Sequence, residues 1–331
     1  METFYKALES VFNITPEMAK TLVRNFNTGD LAFFETYFKA LPTVKLDTGN
    51  SKKFFENYFN ASPTVKLETG NTKNISANET LFIEEESIGS GGYGIIFKNR
   101  ARPYLYKMVI DHARVDDKNT LLYFKTNFKE AIIQTLLQCD VTYGKYVCRL
   151  YKVYRSGNDF VFQIEPLEIT LEKYLYLNRL EEHLPETAGK ILLKLIEIVN
   201  YFNANYGFNH NDFSSTNIMT LKEGNIVENI KLIDFGRSSV NFADVQLGSL
   251  KTKRGDLNNL FISTMKYNLE EKDRKLFSKI IKLPSETPMK TFTNILSSKK
   301  KNKKGGKRIT IRRQPLKLSA TLHKRHLIDY K

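Results

Sequence analysis

The chain predicts an α+β fold in two lobes, preceded by a small helical N-terminal region. Its order of patterns is the first reason: short strand-like runs come first and helix-period runs follow them. Its composition is the second. Of 331 residues, 41% are hydrophobic and 12% aromatic, enough for a sizeable core and against wholesale disorder. The third is where the charge sits. Residues 298–331 hold nine Lys and four Arg against one Asp, which is +12 of the formal +15. The other 297 residues carry an ordinary balance of about +3. The basicity belongs to a tail, which removes most of the support for a chain that coats nucleic acid along its whole length.

Residues 1–80 contain a duplication. FFETYFKALPTVKLDTGN begins at Phe33 and FFENYFNASPTVKLETGN at Phe54, a register of 21 residues. Two copies are too few for a solenoid, which needs three or more units to bury a shared core. Phe33, Phe34, Tyr37 and Phe38, then Phe54, Phe55, Tyr58 and Phe59, fall at i, i+1, i+4, i+5 spacing. That spacing predicts two short helices whose aromatic faces pack together or onto the next domain. A partner-binding module is the alternative. The amphipathic start METFYKALESVF carries Glu2 and Glu9, which argues against a secretory signal.

From Leu81 the pattern changes. LFIEEESIGSGGYGIIFKN predicts a strand, a glycine turn and a second strand, and LYKMVI a further strand. Residues 118–138 carry apolar residues at helical period. VCRLYKVYRS and DFVFQIEP predict a strand pair around Ser156-Gly157-Asn158. LEKYLYLNRLEEHL and ETAGKILLKLIEIVNYFNANYG are helical, the second ending at Gly207. NIKLIDFG is a short strand, and GDLNNLFISTMKYN starts another helix. From Ser297 the run SSKKKNKKGGKRITIRRQ is like-charged and expected to be flexible, at least through residue 313. The domain bounds are thus 1–80, 81–285 and a basic tail over 286–331.

No run of ~18 apolar residues is present, so no transmembrane helix is expected. Cys139 and Cys148 stand nine apart with no CxxC. They exclude a disulfide scaffold and a cysteine-rich zinc site, and they suit a reducing compartment. The expectation is a soluble, intracellular protein.

Four patterns carry chemistry. Ile88-Gly89-Ser90-Gly91-Gly92-Tyr93-Gly94-Ile95-Ile96 is GxGxxG between two strands. Glycines let a turn bring backbone N–H groups close to phosphate oxygens, where a Cβ would clash. A dinucleotide fold would need a helix directly after it, and none follows. Lys107 lies in the next strand, where it could neutralise phosphates, and Glu130 on the following helix could anchor it. Lys98 is a rival, disfavoured because it lies almost inside the return strand of the loop. After the long helix come His210, Asp212 and Asn217 as HxDxxxxN, then Asp234-Phe235-Gly236 at a strand end. Asp212 can accept or orient a substrate hydroxyl, while Asn217 and Asp234 offer hard oxygen ligands to Mg²⁺. His210 reads as structural support for its loop.

Glycine loop, strand lysine, helix glutamate, HxDxxxxN and DFG, in this order over roughly residues 82–285, resemble the protein-kinase family. The Asn211-containing loop, the lysine tail and the minimal second lobe resemble the divergent serine/threonine kinases of large eukaryotic DNA viruses. The resemblance implies a two-lobed kinase-like fold with a short C-lobe and two cofactors, ATP and Mg²⁺. Gly89, Gly91 and Gly94 would cover the phosphates, with Ile88, Ser90, Gly92, Tyr93 and Ile96 completing the nucleotide loop. Lys107 would contact the α- and β-phosphates and pair with Glu130. Gln163-Ile164-Glu165-Pro166-Leu167 resembles the hinge that receives adenine, with Ile164 guarding the back pocket and Glu165 in the nucleotide contact. Asp212 would be the catalytic aspartate, Asn217 and Asp234 the metal ligands, and Asp256 a buried brace. The resemblance also implies action in the host cytoplasm or nucleus, with packaging in a virion.

The departures are specific. Asn211 stands where Arg usually precedes the catalytic Asp, which argues against control by a phosphate docked there. Ser214 stands where Lys is common, so one cation near the transferred phosphate is missing. Asp234 and Asp256 are only 22 residues apart with no APE between them, which shortens the peptide-docking segment. Leu105 stands where a small residue often borders adenine. The leading expectation is ATP-dependent phosphorylation of protein Ser or Thr. A small-molecule kinase on the same fold and a nucleotide-binding pseudokinase scaffold are the alternatives. Through its nine Lys and Arg over 299–313, the tail offers nonspecific binding to nucleic acid or an anionic surface, or a nuclear localisation signal.

Overall fold

The computed structural model describes residues 1–47, 79–82, 89–91, 94–99, 102–109, 116–178, 184–220, 225–243, 245–248 and 260. The second repeat copy, the basic tail and, apart from Leu260, the helix expected from Gly255 lie outside the described residues. The chain divides into a unit over Met1–Pro288 and another over Met289–Lys331, and every described residue belongs to the first.

Three helices open the chain: α1 (Glu2–Phe12), α2 (Pro16–Arg24) and α3 (Leu31–Ala40). Side chains that accept orphan N–H groups define two of the starts. Thr15 Oγ1 accepts from the Met18 N–H at 3.3 Å with Pro16 at the first helical position, and Asp30 Oδ1 accepts from Phe33 at 2.8 Å. Helix α1 buries Phe4, Leu8, Val11 and Phe12, one face at helical period. The aromatic stripe of the first repeat copy turns toward α4 (Asp117–Gln138). Phe34 and Phe12 lie 5.8 and 5.7 Å from Phe128, and Phe38 lies 5.1 Å from Phe124.

After α3 the chain enters β1 (Val44–Asp47), which pairs in parallel with β2 (Glu79–Phe82). This corrects one sequence expectation. The strand preceding the glycine run does not belong to the glycine hairpin; it lies in a separate two-stranded sheet. The glycines Gly89–Gly91 themselves form β3, antiparallel to β4 (Gly94–Asn99). With β5 (Arg102–Val109), β6 (Leu150–Ser156) and β7 (Asp159–Ile164) they make a five-stranded antiparallel sheet in the order β3-β4-β5-β7-β6. The β6–β7 connection is the expected tight turn, with Ser156 opposite Asp159 and Gly157 at φ 58°. One sheet face packs Ile95, Phe97, Tyr106, Met108, Tyr154 and Val161 with Val44. By the period of two, Lys107 points to the other face, in register with Ile96 and Phe162.

The second lobe begins with β8 (Ile169–Thr170) and α5 (Leu171–Leu177), whose first turn Thr170 caps. Helix α6 (Leu184–Tyr206) buries Ile191, Leu192, Leu195, Ile198, Val199 and Phe202. It ends at Gly207, φ 57°, where a Cβ would meet the Asn241 carbonyl oxygen at 2.8 Å. Strands β9 (Ile218–Thr220) and β10 (Lys231–Leu232) join β8 in a three-stranded sheet. The hairpin of β11 (Val240–Phe242) and β12 (Val245–Leu247), for which the sequence pattern gives no signal, follows β10. The fold is α+β and two-lobed, with helices ahead of it. No helix among the described residues is long and apolar enough to cross a membrane.

Candidate active site

Strand β5, helix α4 and the end of β10 bring three charged side chains to one point. Lys107 Nζ lies 2.7 Å from Glu130 Oε1 and 3.3 Å from Asp234 Oδ1. The Lys107 and Glu130 side chains are only 15% and 6% exposed, so this is a shielded pair. Burial alone would lower the Lys107 ammonium, but Glu130 and then Asp234 outweigh it and hold it above the ordinary lysine value. Burial raises Glu130, partly offset by Lys107. Asp234 is lowered, by the charge of Lys107 foremost, against its own burial. Gly236 closes this corner: a Cβ there would stand 3.3 Å from Glu130 Oε2.

The Asp212 loop is tied to the same corner through the backbone. Asn217 Nδ2 donates to the Asp212 carbonyl at 2.7 Å, and the Ile233 N–H donates to the Asn217 carbonyl at 3.1 Å. Asn217 therefore connects the residue before Asp234 to Asp212, and its side-chain oxygen remains a hard acceptor. His210 is fully buried between Phe213 and Phe235, with ring centroids 5.4 and 5.6 Å away. Its Nε2 lies 3.0 Å from the Ile233 carbonyl, which can only accept, so that nitrogen carries the proton. It supports the loop and faces no reacting group. Asn211 and Asp234 both adopt positive φ, 63° and 61°, in residue types that tolerate it best.

Of the residues expected at the site, Lys107, Glu130 and Asp234 meet directly, and Asn217 links Asp212 to them. Gly89, Ser90 and Gly91 lie in β3, Gly94 and Ile96 in β4; Ile88, Gly92, Tyr93 and Asp256 lie outside the described residues. Gly94 has a structural reason of its own: a Cβ would meet the Met108 carbonyl oxygen at 2.5 Å, so the close approach of β4 to β5 already requires glycine. Lys98 is exposed opposite Leu105, and the acidic pair forms with Lys107 instead. Glu165 carries an internal task. Lys231 Nζ lies 3.0 Å from Oε1, the Arg149 N–H donates to the same carboxylate at 2.9 Å, and the Glu165 N–H donates to the Arg149 carbonyl. Sequence reasoning missed Arg237, whose Nη1 lies 3.7 Å from Asp212 Oδ2. Its position directly after DFG was visible; its approach to Asp212 depends on the turn that follows.

Among the described residues no cluster of three or more His, Cys, Asp and Glu is arranged for a metal. Mg²⁺ does not need one. It commonly takes one or two protein oxygens and completes its shell with phosphate and water, which suits the donor pair of Asp234 and Asn217.

A buried lysine thus lies between two carboxylates on a two-lobed fold, with an aspartate-bearing loop tied beside it. The protein kinase domain family matches residues 82–264, more than half of the chain, and the chain belongs to that family. It is similar to the dual specificity mitogen-activated protein kinase kinase sek-1 of Caenorhabditis elegans, 26% identical over 173 residues. That match covers 50% of this chain and 46% of that protein, so the chain spans about half the length of the curated relative. The crystal structure of the PF14_0431 kinase domain is 19% identical, covering 55% of this chain and 60% of that one, at a TM-score of 0.39. The family assignment rests on the sequence match alone.

Proposed function

We propose that the chain is an ATP- and Mg²⁺-dependent protein kinase acting on serine or threonine. The observation that carries the reading is the Lys107 ammonium held between Glu130 and Asp234, with Asn217 tying Asp212 into the same corner. In phosphoryl transfer the protein mostly positions reactants and stabilises charge, so these groups are the ones that activity requires. Lys107, fixed by Glu130, presents a cation to nucleotide phosphates. Asp212 accepts or orients the proton of the acceptor hydroxyl. Asp234 and Asn217 would hold Mg²⁺, which supplies neutralisation of the phosphate charge. The two free cysteines suit a reducing compartment, and we place the enzyme inside the cell.

Purified chain incubated with labelled ATP, Mg²⁺ and generic protein acceptors should transfer phosphate, and Asp212→Asn should lower turnover by orders of magnitude while ATP binding persists. The acceptors should offer Ser, Thr and Tyr, because the similar Caenorhabditis elegans protein is named a dual specificity kinase. ATP binding without transfer to any acceptor or to the chain itself would establish the pseudokinase instead. Transfer to small hydroxyl compounds alone would favour the second enzymatic reading, which the short Asp234-to-Asp256 interval supports.

A further inference from the structure

We propose that Arg237 supplies the cation that the catalytic loop lacks at Ser214, binding the phosphoryl group in transfer from the residue after DFG. The inference rests on the kinase reading above.

Charge shows why a cation is needed. Asp212 and Asp234 are both acidic, and the phosphates of a nucleotide would add more negative charge between them. Lys107 is already engaged by Glu130 and Asp234 on the Asp234 side. On the Asp212 side stands Ser214, which brings no charge, and its hydroxyl lies 2.6 Å from that of Thr216. Among the described residues, the cation paired with Asp212 is Arg237, with Nη1 3.7 Å from Asp212 Oδ2. Its side chain is 56% exposed, so as an ion pair with Asp212 it adds little stability. Its importance lies in position. A guanidinium offers a planar fork of donors that fits phosphate oxygens, and phosphoryl charge in the transition state spreads over three such oxygens.

The backbone that carries Arg237 is fastened to the catalytic loop. Asn211 Nδ2 donates to the Arg237 carbonyl at 2.9 Å. Ser238 Oγ donates to the His210 carbonyl at 3.2 Å. Ser239 and Asn209 exchange two backbone hydrogen bonds, each 2.9 Å. Residues 237–239 thus lie against residues 209–211 through these bonds and a further one from Asn211 Nδ2 to Ser239 Oγ at 3.3 Å. Asn211, which stands where a phosphate-docking Arg would, spends its amide on this attachment. The attachment fixes the root of Arg237 and leaves its side chain directed at Asp212.

The test is steady-state kinetics on the full chain with labelled ATP and a protein acceptor. Arg237→Ala and Arg237→Gln should each lower kcat by roughly 10- to 100-fold, with KM for ATP changed less than about threefold. Arg237→Lys should keep an intermediate rate. The double variant Ser214→Lys with Arg237→Ala should regain about tenfold or more over Arg237→Ala, because the lysine returns a cation to the catalytic loop two residues from Asp212. A structural role for Arg237 would not be rescued in that way. Three outcomes would overturn the inference alone: kcat within twofold of wild type, a loss confined to KM for the acceptor, or no rescue by the lysine. A wild-type chain that transfers no phosphate would overturn the kinase reading, and this inference with it.

Discussion

Lys107 faces two carboxylates, and removing its charge leaves them facing each other. Lys107→Met should lower turnover at least 100-fold with the fold retained, while Lys98→Met, on an exposed position, should stay within about twofold. A pH test follows from the same triad. Asp234 is depressed by Lys107, so its contribution is present above the ordinary Asp value of about 3.9 and lost as pH falls through the depressed one. Without the lysine, burial would push Asp234 upward and Glu130 higher than it already stands. Raised carboxyls favour the folded state at acid pH, and that benefit is lost as pH rises through their folded values. The gap in melting temperature between wild type and Lys107→Met should therefore widen from pH 4 to pH 8. A constant gap would show that the lysine does not hold the carboxyls down. Most of this site was legible in the sequence because each residue type is dictated by chemistry at a fixed order along the chain. Arg237 was not, since nothing in DFGR says how the following turn attaches to the catalytic loop. The internal bonds of Glu165 were also hidden, because Lys231 lies 66 residues away in sequence.

Helix α4 is held from both sides. The sheet residue Phe160 lies 5.1 Å from Phe128, and Phe12 and Phe34 of the N-terminal helices cover the same ring. Phe128 stands two positions before Glu130, so this packing also sets where the lysine partner sits. Phe34 is fully buried. Phe34→Ala should cost about 3–5 kcal/mol by denaturant unfolding and raise KM for ATP in whatever folded protein remains. Unchanged stability would show that the N-terminal helices are dispensable to α4. They also reach the segment after DFG, where Asn27 Nδ2 donates to the Gln246 carbonyl at 2.8 Å. A separate element test concerns β4: Gly94→Ala should destabilise by about 1–3 kcal/mol even without nucleotide, because its Cβ meets the Met108 carbonyl. Full stability with lost ATP binding would return Gly94 to a purely phosphate-facing role. The helices α3, α4, α5 and α6 were readable from apolar periodicity, and α1 as an amphipathic start. Helix α2 was overlooked despite its Thr15-Pro16 start, and the β1–β2 pairing could not be read. That pairing joins two four-residue strands through tertiary contact, with a duplicated segment between them.

At the scale of the whole molecule, charge separates two activities that mutation of the site would confuse. The segment over residues 298–331 supplies +12 of +15, so its deletion should leave a nearly neutral chain with the Lys107, Asp212, Asn217 and Asp234 set untouched. Binding to duplex DNA should then largely disappear, while phosphorylation of a short uncharged peptide that the full chain accepts should survive within a few-fold. For the full chain, log affinity against log salt should fall with a slope of about −0.9 per phosphate contacted, since each contact releases condensed counterions. Nine cationic residues lie in 299–313, so a slope several units steep is expected if that run engages together. Anionic vesicles should show the same loss on deletion and the same weakening with salt. The alternative expectation from the sequence is a closing segment, in which Ile309, Ile311, Leu316, Leu318, Leu322 and Leu327 of ITIRRQPLKLSATLHKRHLIDY would dock through their apolar side chains. Docking of that kind predicts a drop in melting temperature on deletion. Hydrophobic burial of six such side chains would be felt as several kcal/mol, whereas a tether held by charge alone would leave the melt unchanged. Measuring the melt, the salt slope and peptide phosphorylation on one pair of proteins decides between them.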